Sequence, residues 1–394
     1  MREFRTDLLG CGWGEWSGAW CGRRCLVNRG GGWYLEEDGL RTGHWRRLTE
    51  ALGALWPHRR VRDRSPWAVG WIGYEEAAHL AGGFPCREGA DLAPGSWLLL
   101  EPEAAPTPPE STIGRRRWVG RARWSLDSRA FRQGVEAVRR RIGAGDVYQV
   151  NLCRRLTVEG FEGSLRPFAD VASDGGVPDY LGHIDFGDGE LLCASMEMLL
   201  RLRGEELETR PIKGTRPRGA SPEDDLKLAA ELDADPKERA ELAMVVDLER
   251  NDLGRICEIG SVEVLDPWSV ETFAAVHHRV ARVTGRVRSD LGWWEVVAAM
   301  APGGSVTGCP KHAAMTLIRE LEPVPRGPFT GVLGVVAGNG DLEMALPIRT
   351  AWRVGPTLEF AAGCGIVWQS DPVAEERESR LKIARWLDLV GMAE

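Results

Sequence analysis

Lys213 lies in Pro211-Ile212-Lys213-Gly214-Thr215, between a proline-led strand end and a glycine-threonine turn. There the backbone amides around Gly214, the Thr215 hydroxyl and one amine can converge on a small ligand. Taken alone, the lysine is equally compatible with a phosphate contact or a structural ion pair. Further along, Glu375 and Glu378 are three apart and Lys382 follows four later, so two carboxylates and an amine share one helix side. A solvated, salt-bridged surface has the same spacing. The stretch before that helix, Ala361-Ala362-Gly363-Cys364-Gly365-Ile366-Val367, favours a site, because its small residues let a ligand approach backbone amides. A hard cation such as magnesium suits such carboxylates, retaining waters and bridging to an acidic substrate. Glu241 stands at the edge of another helix's apolar stripe, either as a metal ligand or as the partner of Lys237 or Arg239.

Three other groups of residues invite chemistry. Gly303-Gly304-Ser305-Val306-Thr307-Gly308-Cys309-Pro310-Lys311 has the glycines, hydroxyls and lysine of a phosphate loop, but Pro310 separates Gly308 from Lys311 and His312 follows. A glycine-rich loop shaping a ligand pocket is the better reading. Arg349 sits in the apolar Leu346-Pro347-Ile348-Arg349-Thr350 and needs an anionic partner, from protein or ligand. His277 and His278 precede a strand-like run, with no third ligand at metal-binding spacing.

The elements that must position these residues are legible from pattern. Ser128 to Ile142 reads as a helix stopped by Gly143 and Gly145, followed by a strand over Asp146 to Arg154. Tyr180 to Phe186, Leu191 to Ser195 and Met198 to Leu202 read as paired strands, and Arg279 to Val283 as another. Asp235-Pro236 opens a helix that runs to Leu253, and Ser370-Asp371-Pro372 opens one that runs to about Val390. The N-terminal third, including Trp67 to Tyr74, reads as strands and turns. Glu101 to Arg117 is proline-rich and poor in apolar residues, a linker dividing 1–117 from 118–394, with a strand-like segment over Trp118 to Trp124.

The 394 residues, 43% of them apolar, suffice for a large core without staples. With 58 acidic against 50 basic residues and no basic cluster, nucleic-acid binding is excluded, and an anionic substrate needs a local basic site. The N-terminus lacks a signal-peptide pattern and no apolar run approaches the ~20 residues of a membrane span, so a cytoplasmic protein without a membrane partner is expected. Nine scattered cysteines fit reduced thiols, and Cys11, Cys21 and Cys25 lack a fourth zinc ligand. The seventeen tryptophans are spaced irregularly, as packing residues are.

In order along the chain, these stretches resemble the chorismate-utilising enzymes. The similarity covers roughly Ser128 to Val390. It rests on Ala144 to Leu152 (AGDVYQVNL), PIKGT, Val246 to Arg255 (VDLERNDLGR), the Gly303–Lys311 loop, and Gly365-Ile366-Val367 with Ser370-Asp371-Pro372 and the Glu375/Glu378 pair. Gly70 to Tyr74 (GWIGY) is a looser match, and the N-terminal region looks shorter than is usual in the family.

The resemblance implies an α/β (α+β) fold of two facing antiparallel sheets with helices outside and the active site at one mouth. A lysine in the third position of PIKGT implies amination of chorismate to 4-amino-4-deoxychorismate, toward 4-aminobenzoate and folate, with Lys213 as covalent nucleophile. The family's anthranilate-forming members look like PIAGT instead. It further implies Glu197 as general acid/base, Glu241, Glu375 and Glu378 as magnesium ligands, and Thr215, Gly214, His278, Arg349, Lys382 and Gly365 around chorismate. No glutaminase motif is seen, so ammonia is expected from a glutamine amidotransferase subunit. Anthranilate or isochorismate formation and a non-catalytic chorismate-binding subunit are the competing expectations. Met196, Phe329 and Trp368-Gln369 depart from the family's usual proline, tyrosine and small-acidic pair.

Overall fold

The computed structural model describes residues 4–9, 11–29, 32–56, 64–87, 95–106, 121–172, 178–273 and 276–389. Two large sheets organise them. One runs through Gly308–Cys309, Gln149–Glu159, Thr357–Ile366, Thr350–Val354, Gly189–Ser195, Tyr180–Asp185, Phe4–Leu8, Gly18–Gly22 and Glu103–Ala105, with Ala122–Trp124 also paired to Gln149–Glu159. The other runs through Ile212–Pro217, Val276–Arg286, Glu206–Arg210, Met198–Arg203, Leu342–Ala345, Val332–Ala337, Pro66–Ile72, Ser96–Leu100, Arg24–Arg29, Gly32–Glu37 and Leu40–Trp45, with Glu263–Thr272 also on Val276–Arg286. The pairing is antiparallel in both.

Inward-facing residues of the two sheets, among them Leu8, Val69, Trp71, Trp97, Ile184, Leu191, Leu333 and Trp352, form one apolar layer between them. Outside, Phe131, Val135 and Val138 of helix Ser128–Gly143 and Ala314, Leu317 and Ile318 of helix Lys311–Leu321 cover the first sheet. Leu242 and Val246 of helix Pro236–Gly254 and Val296 and Val297 of helix Trp293–Met300 cover the second. The expected sandwich with outer helices is therefore present. Trp13, Trp16, Trp33, Trp71, Trp97 and Trp352 are fully buried, as packing residues should be, and the nine cysteines are free thiols.

Local signals act as their chemistry requires. Asp127 caps helix Ser128–Gly143 by accepting from the Ala130 amide at 2.8 Å, and Asp235 caps helix Pro236–Gly254 by accepting from the Lys237 and Glu238 amides, with Pro236 in the first turn. Gly187, at φ 96°, turns Tyr180–Asp185 into Gly189–Ser195.

The structure corrects two expectations. The N-terminal third is not strands and turns alone, since Leu48–Leu55 and Tyr74–Leu80 are helices. The last helix does not run unbroken to Val390; Pro372–Leu381 ends and Ala384–Leu389 begins anew. Arg349 Nη1 donates to the Lys382 carbonyl, taking the acceptor that the next turn would have used.

Strands from the first 105 residues lie in both sheets. The division at 117/118, and most of the Pro-rich stretch, fall at 107–120, outside the described residues. No helix among the described residues is long and apolar enough to cross a membrane.

A buried ionic group ties the first strand to its neighbours. His183 lies 3.3 Å from Glu190 by Nε2 and 3.7 Å from Asp7 by Nδ1, while Arg166 pairs with Asp7 and Arg353 with Glu190. Burial alone would lower the His183 pKa, but the two carboxylates outweigh it and hold the imidazolium above its ordinary 6.5. A group whose pKa is raised on folding contributes stability below its unfolded value and loses it as pH rises through the folded one. The melting temperature is therefore expected to fall as pH climbs above about 6.5, with the slope flattened in His183→Gln. Equal slopes in the two proteins would remove His183 from this role. Glu190, which burial raises but His183 and Arg353 bring down to about 2, loses its contribution only in strong acid.

Candidate active site

A cavity of about 520 Å³ opens between the sheets at their strand ends. Strand Ile212–Pro217 supplies Lys213, Gly214 and Thr215, and its neighbour Val276–Arg286 supplies His278. Across the gap, Asn151, Gly363 and Gly365 line it from Gln149–Glu159 and Thr357–Ile366. Helix Pro236–Gly254 presents Lys237, Glu238 and Glu241 near its start, and helix Pro372–Leu381 presents Glu375 and Glu378, with Lys382 at its end. Glu197 and Arg349 complete the wall, so every residue that the family resemblance assigned to the site borders this one space.

Glu197 is 6% exposed and accepts from the Ser305 hydroxyl at 2.5 Å. Burial pushes its carboxyl up, with Lys213 and the Ser305 hydrogen bond pulling the other way. Lys213 Nζ donates to the Ser305 carbonyl at 3.3 Å, and Asn151 Nδ2 donates to the same oxygen at 3.4 Å. Ser305 thus touches both the amine and the acid through different atoms.

His278 Nδ1 lies 3.2 Å from the Gly214 carbonyl and 3.1 Å from Thr215 Oγ1. The carbonyl requires a donor, so Nδ1 carries the proton, and burial lowers the pKa so that the ring stays neutral. Nε2 is then an acceptor; it is buried with no hydrogen-bond partner among the described residues. Gly214 needs to be glycine: φ is +77°, and a Cβ there would come within 2.8 Å of Leu232 Cδ1. At Gly365 a Cβ would meet only the end of the Gln149 side chain, Nε2 at 2.3 Å, so the constraint there is weaker.

Glu375 accepts from Ser370 Oγ at 2.6 Å, and Lys382 bridges Glu378 and the Gly363 carbonyl, each at 2.8 Å. Burial foremost, then Glu378, raises Glu375, while for Glu378 the effect of burial is outweighed by Lys382, which holds it below the usual carboxylate range. Glu241 is raised by burial, with Glu238 and Glu375 adding to it against Lys213 and Lys237; its Lys237 pair spans 3.7 Å. Carboxylates that repel one another in a shared wall are a donor set for a hard, oxygen-seeking divalent cation. Cys364 Sγ lies within 4.8 Å of ligand oxygens of Glu375 and Glu378. It nevertheless packs in the apolar layer with Phe131 and Val135, donates to the Glu375 carbonyl, and is pushed up by burial to about 12. By donating to that carbonyl the thiol ties strand Thr357–Ile366 to the carboxylate-bearing helix.

The helix bearing these carboxylates is pinned from behind. Glu376 takes Arg154 at 3.0 Å, Arg132 at 3.3 Å and Arg380 at 2.6 Å, with Arg154 stacked between Trp124 and Phe131.

Sequence reading did not single out Ser305 or Asn151 individually, although both lie in stretches it marked. Lys311, the apparent phosphate-loop lysine, is 7% exposed and bound to Asp252 at 2.6 Å, away from the cavity. His277 is likewise structural, held by Asp225 at 2.9 Å and Thr272 at 3.0 Å. Met196 and Phe329 border the cavity, while Trp368 is 53% exposed beneath Arg139.

Residues 87–388 match the family model described as chorismate binding enzyme. Over 262 residues the chain is 40% identical to anthranilate synthase component 1 of Spirochaeta aurantia, covering 66% of this chain and 54% of that one. Over 251 residues it is 39% identical to aminodeoxychorismate synthase component 1 of Bacillus subtilis, covering 63% and 53%. The chain thus spans about half the length of these curated relatives. Anthranilate synthase component I from Streptococcus pneumoniae, 25% identical, superposes with a TM-score of 0.78 over 98% of this chain and 92% of that one.

Proposed function

The chain belongs to the chorismate binding enzyme family, and on that premise we propose that it acts in the cytoplasm as an aminodeoxychorismate synthase component 1, making 4-amino-4-deoxychorismate from chorismate and ammonia. The observation that carries this reading is the amine of Lys213 in one cavity with the buried Glu197, both joined to Ser305. An amine nucleophile beside a carboxylic acid suits replacement of a hydroxyl by two displacements.

In the first displacement the Lys213 amine bonds to C2 of chorismate, both ring double bonds shift along the conjugated path through C1, C6 and C5, and the C4–O bond breaks. The departing hydroxyl takes the Glu197 proton and leaves as water. The ionised Glu197 then accepts the proton shed by the new C2–N bond. In the second, ammonia bonds to C4, both double bonds shift back, and the C2–N bond breaks, the Lys213 amine leaving with the proton returned by Glu197, which then takes the proton shed by the new C4 ammonium. The balance is chorismate plus ammonia giving the amino product plus water.

Arg349 and Lys382, cations on the cavity wall, suit substrate carboxylates, and the His278 Nε2 acceptor suits a substrate hydroxyl. Glu241, Glu375 and Glu378 would hold magnesium, which when bound supplies a positive counter-charge for a ring carboxylate. Ammonia would come from a glutamine amidotransferase. The product feeds 4-aminobenzoate and folate synthesis.

Anthranilate formation is the second reading, favoured by the relatives that carry that name. Chorismate, ammonium and magnesium supplied together, with chromatographic and mass identification of the product, separate the two. Anthranilate or isochorismate would overturn the proposal; no turnover, even with glutamine and an amidotransferase, would make the chain a binding protein. Chelation of magnesium is expected to stop the reaction, and undiminished turnover in chelator would remove the metal from the scheme.

A further inference from the structure

Behind the cavity, Arg326 is 4% exposed with its guanidinium fully engaged. Nε and Nη2 form a fork onto Glu322, at 2.9 and 2.7 Å. Nη1 donates to the Val306 carbonyl at 2.8 Å and to Thr330 Oγ1 at 3.3 Å, and Nη2 also donates to the Asn151 carbonyl at 2.7 Å. The group lies over the Tyr74 ring at 4.7 Å. Glu322 accepts in addition from the Cys153 amide at 2.8 Å, and Glu75 accepts from the Arg326 and Gly327 amides at 2.8 and 3.0 Å. Arg326 is outside the cavity lining, yet Asn151, Val306 and Thr330 all belong to it.

These bonds converge on one serine. Asn151 reaches the Ser305 carbonyl through its amide side chain, and Val306 is the next residue. The same carbonyl takes Lys213, and the same residue's hydroxyl serves Glu197. We propose that Arg326, locked on Glu322, is a positioning residue that fixes Asn151 and the Ser305–Val306 turn, so that Ser305 holds Lys213 and Glu197 in mutual register. A planar fork can satisfy three chain segments and a carboxylate at once; a lysine ammonium has only three donors on a flexible stem. The inference rests on the cavity being the reaction site.

The test uses Arg326→Lys in the full chain, which keeps the charge facing Glu322. Displacement of reacting groups by about 1 Å costs roughly 100-fold, so kcat is expected to fall by about 10- to 100-fold with KM changed little. The alkaline limb of the kcat/KM profile moves to higher pH, because a displaced Ser305 no longer favours ionised Glu197. A readout independent of turnover accompanies these: acetic anhydride labelling of Lys213, followed by peptide mass spectrometry, with exposed Lys227 as internal reference. Lys213 labelling is expected to change several-fold and Lys227 labelling to stay constant.

A folded variant with wild-type pH profile and wild-type Lys213 labelling would overturn the proposal. Should the wild type fail to convert chorismate, the functional reading falls, while the labelling ratio still decides the role of Arg326. If Arg326→Lys does not fold, Glu322→Gln, which keeps the shape but frees the guanidinium, is judged by the same readouts.

Discussion

Lys213→Ala is expected to lower 4-amino-4-deoxychorismate formation by at least about 1,000-fold while leaving the protein folded. The fold should tolerate the change because, among the described residues, the Lys213 amine has one hydrogen-bond acceptor, the Ser305 carbonyl, which keeps Asn151 Nδ2 at 3.4 Å when the amine is gone. Chorismate recognition should survive too, since Arg349, Lys382 and the carboxylate wall are untouched. The loss then falls on kcat, the signature of a group needed in the chemical step. Lys213→Arg separates nucleophile from charge. Arginine restores the cation but not a nucleophilic amine, so it is expected to be as inactive as alanine; activity recovered by arginine would reduce Lys213 to an electrostatic contact. With ammonia withheld, the wild-type chain should gain the mass of chorismate less one water, and Lys213→Ala should not. Undiminished product from the alanine variant would end the covalent route.

How much of this was readable in advance depended on how local each signal is. Glu375, Glu378 and Lys382 were legible because helical spacing maps directly onto a face. The same logic overran at Lys382, where a contact from Arg349, 33 residues earlier, ends the helix. The Gly303–Lys311 loop was legible as a pocket-shaping turn rather than a phosphate loop, and Ser305 and Val306 do line the cavity, but the place of Lys311 was not legible, because its partner is Asp252 on another helix, 59 residues away. Ser305 carries no local mark beyond a glycine-rich turn, and its meaning arises only when the fold brings it to Glu197 across 108 residues. Arg326, in Pro325-Arg326-Gly327, reads as an ordinary turn residue until the sheets close around it. Strands fared similarly. Alternation located Tyr180–Asp185 and Gly189–Ser195, whereas insertion of Phe4–Leu8 beside Tyr180–Asp185, and of Pro66–Ile72 beside Val332–Ala337, is non-local pairing that no periodicity encodes.

Glu197→Gln is expected to reduce turnover by about 100- to 10,000-fold, with KM close to that of the wild type. The substitution keeps size and one hydrogen-bond acceptor for Ser305, so the loss reports the missing proton and not a collapsed wall. The sign of the pH dependence follows from the site. Burial, the largest influence, disfavours the Glu197 carboxylate, and Lys213 with Ser305 only partly offsets it, so the raised pKa keeps the acid protonated above the ordinary carboxylate range. An acid that must be protonated to expel the hydroxyl gives kcat/KM that falls as pH rises through that pKa. Ser305→Ala removes a hydrogen bond that stabilises the ionised form, which moves the limb to higher pH, opposite to the shift that a lost acid-stabilising contact would produce. In Glu197→Gln the limb itself should vanish from the residual rate. A limb that persists unchanged in the glutamine variant would assign the titrating acid to another group, and Glu241 or Glu375, both raised by burial in the same cavity, would be the next to replace.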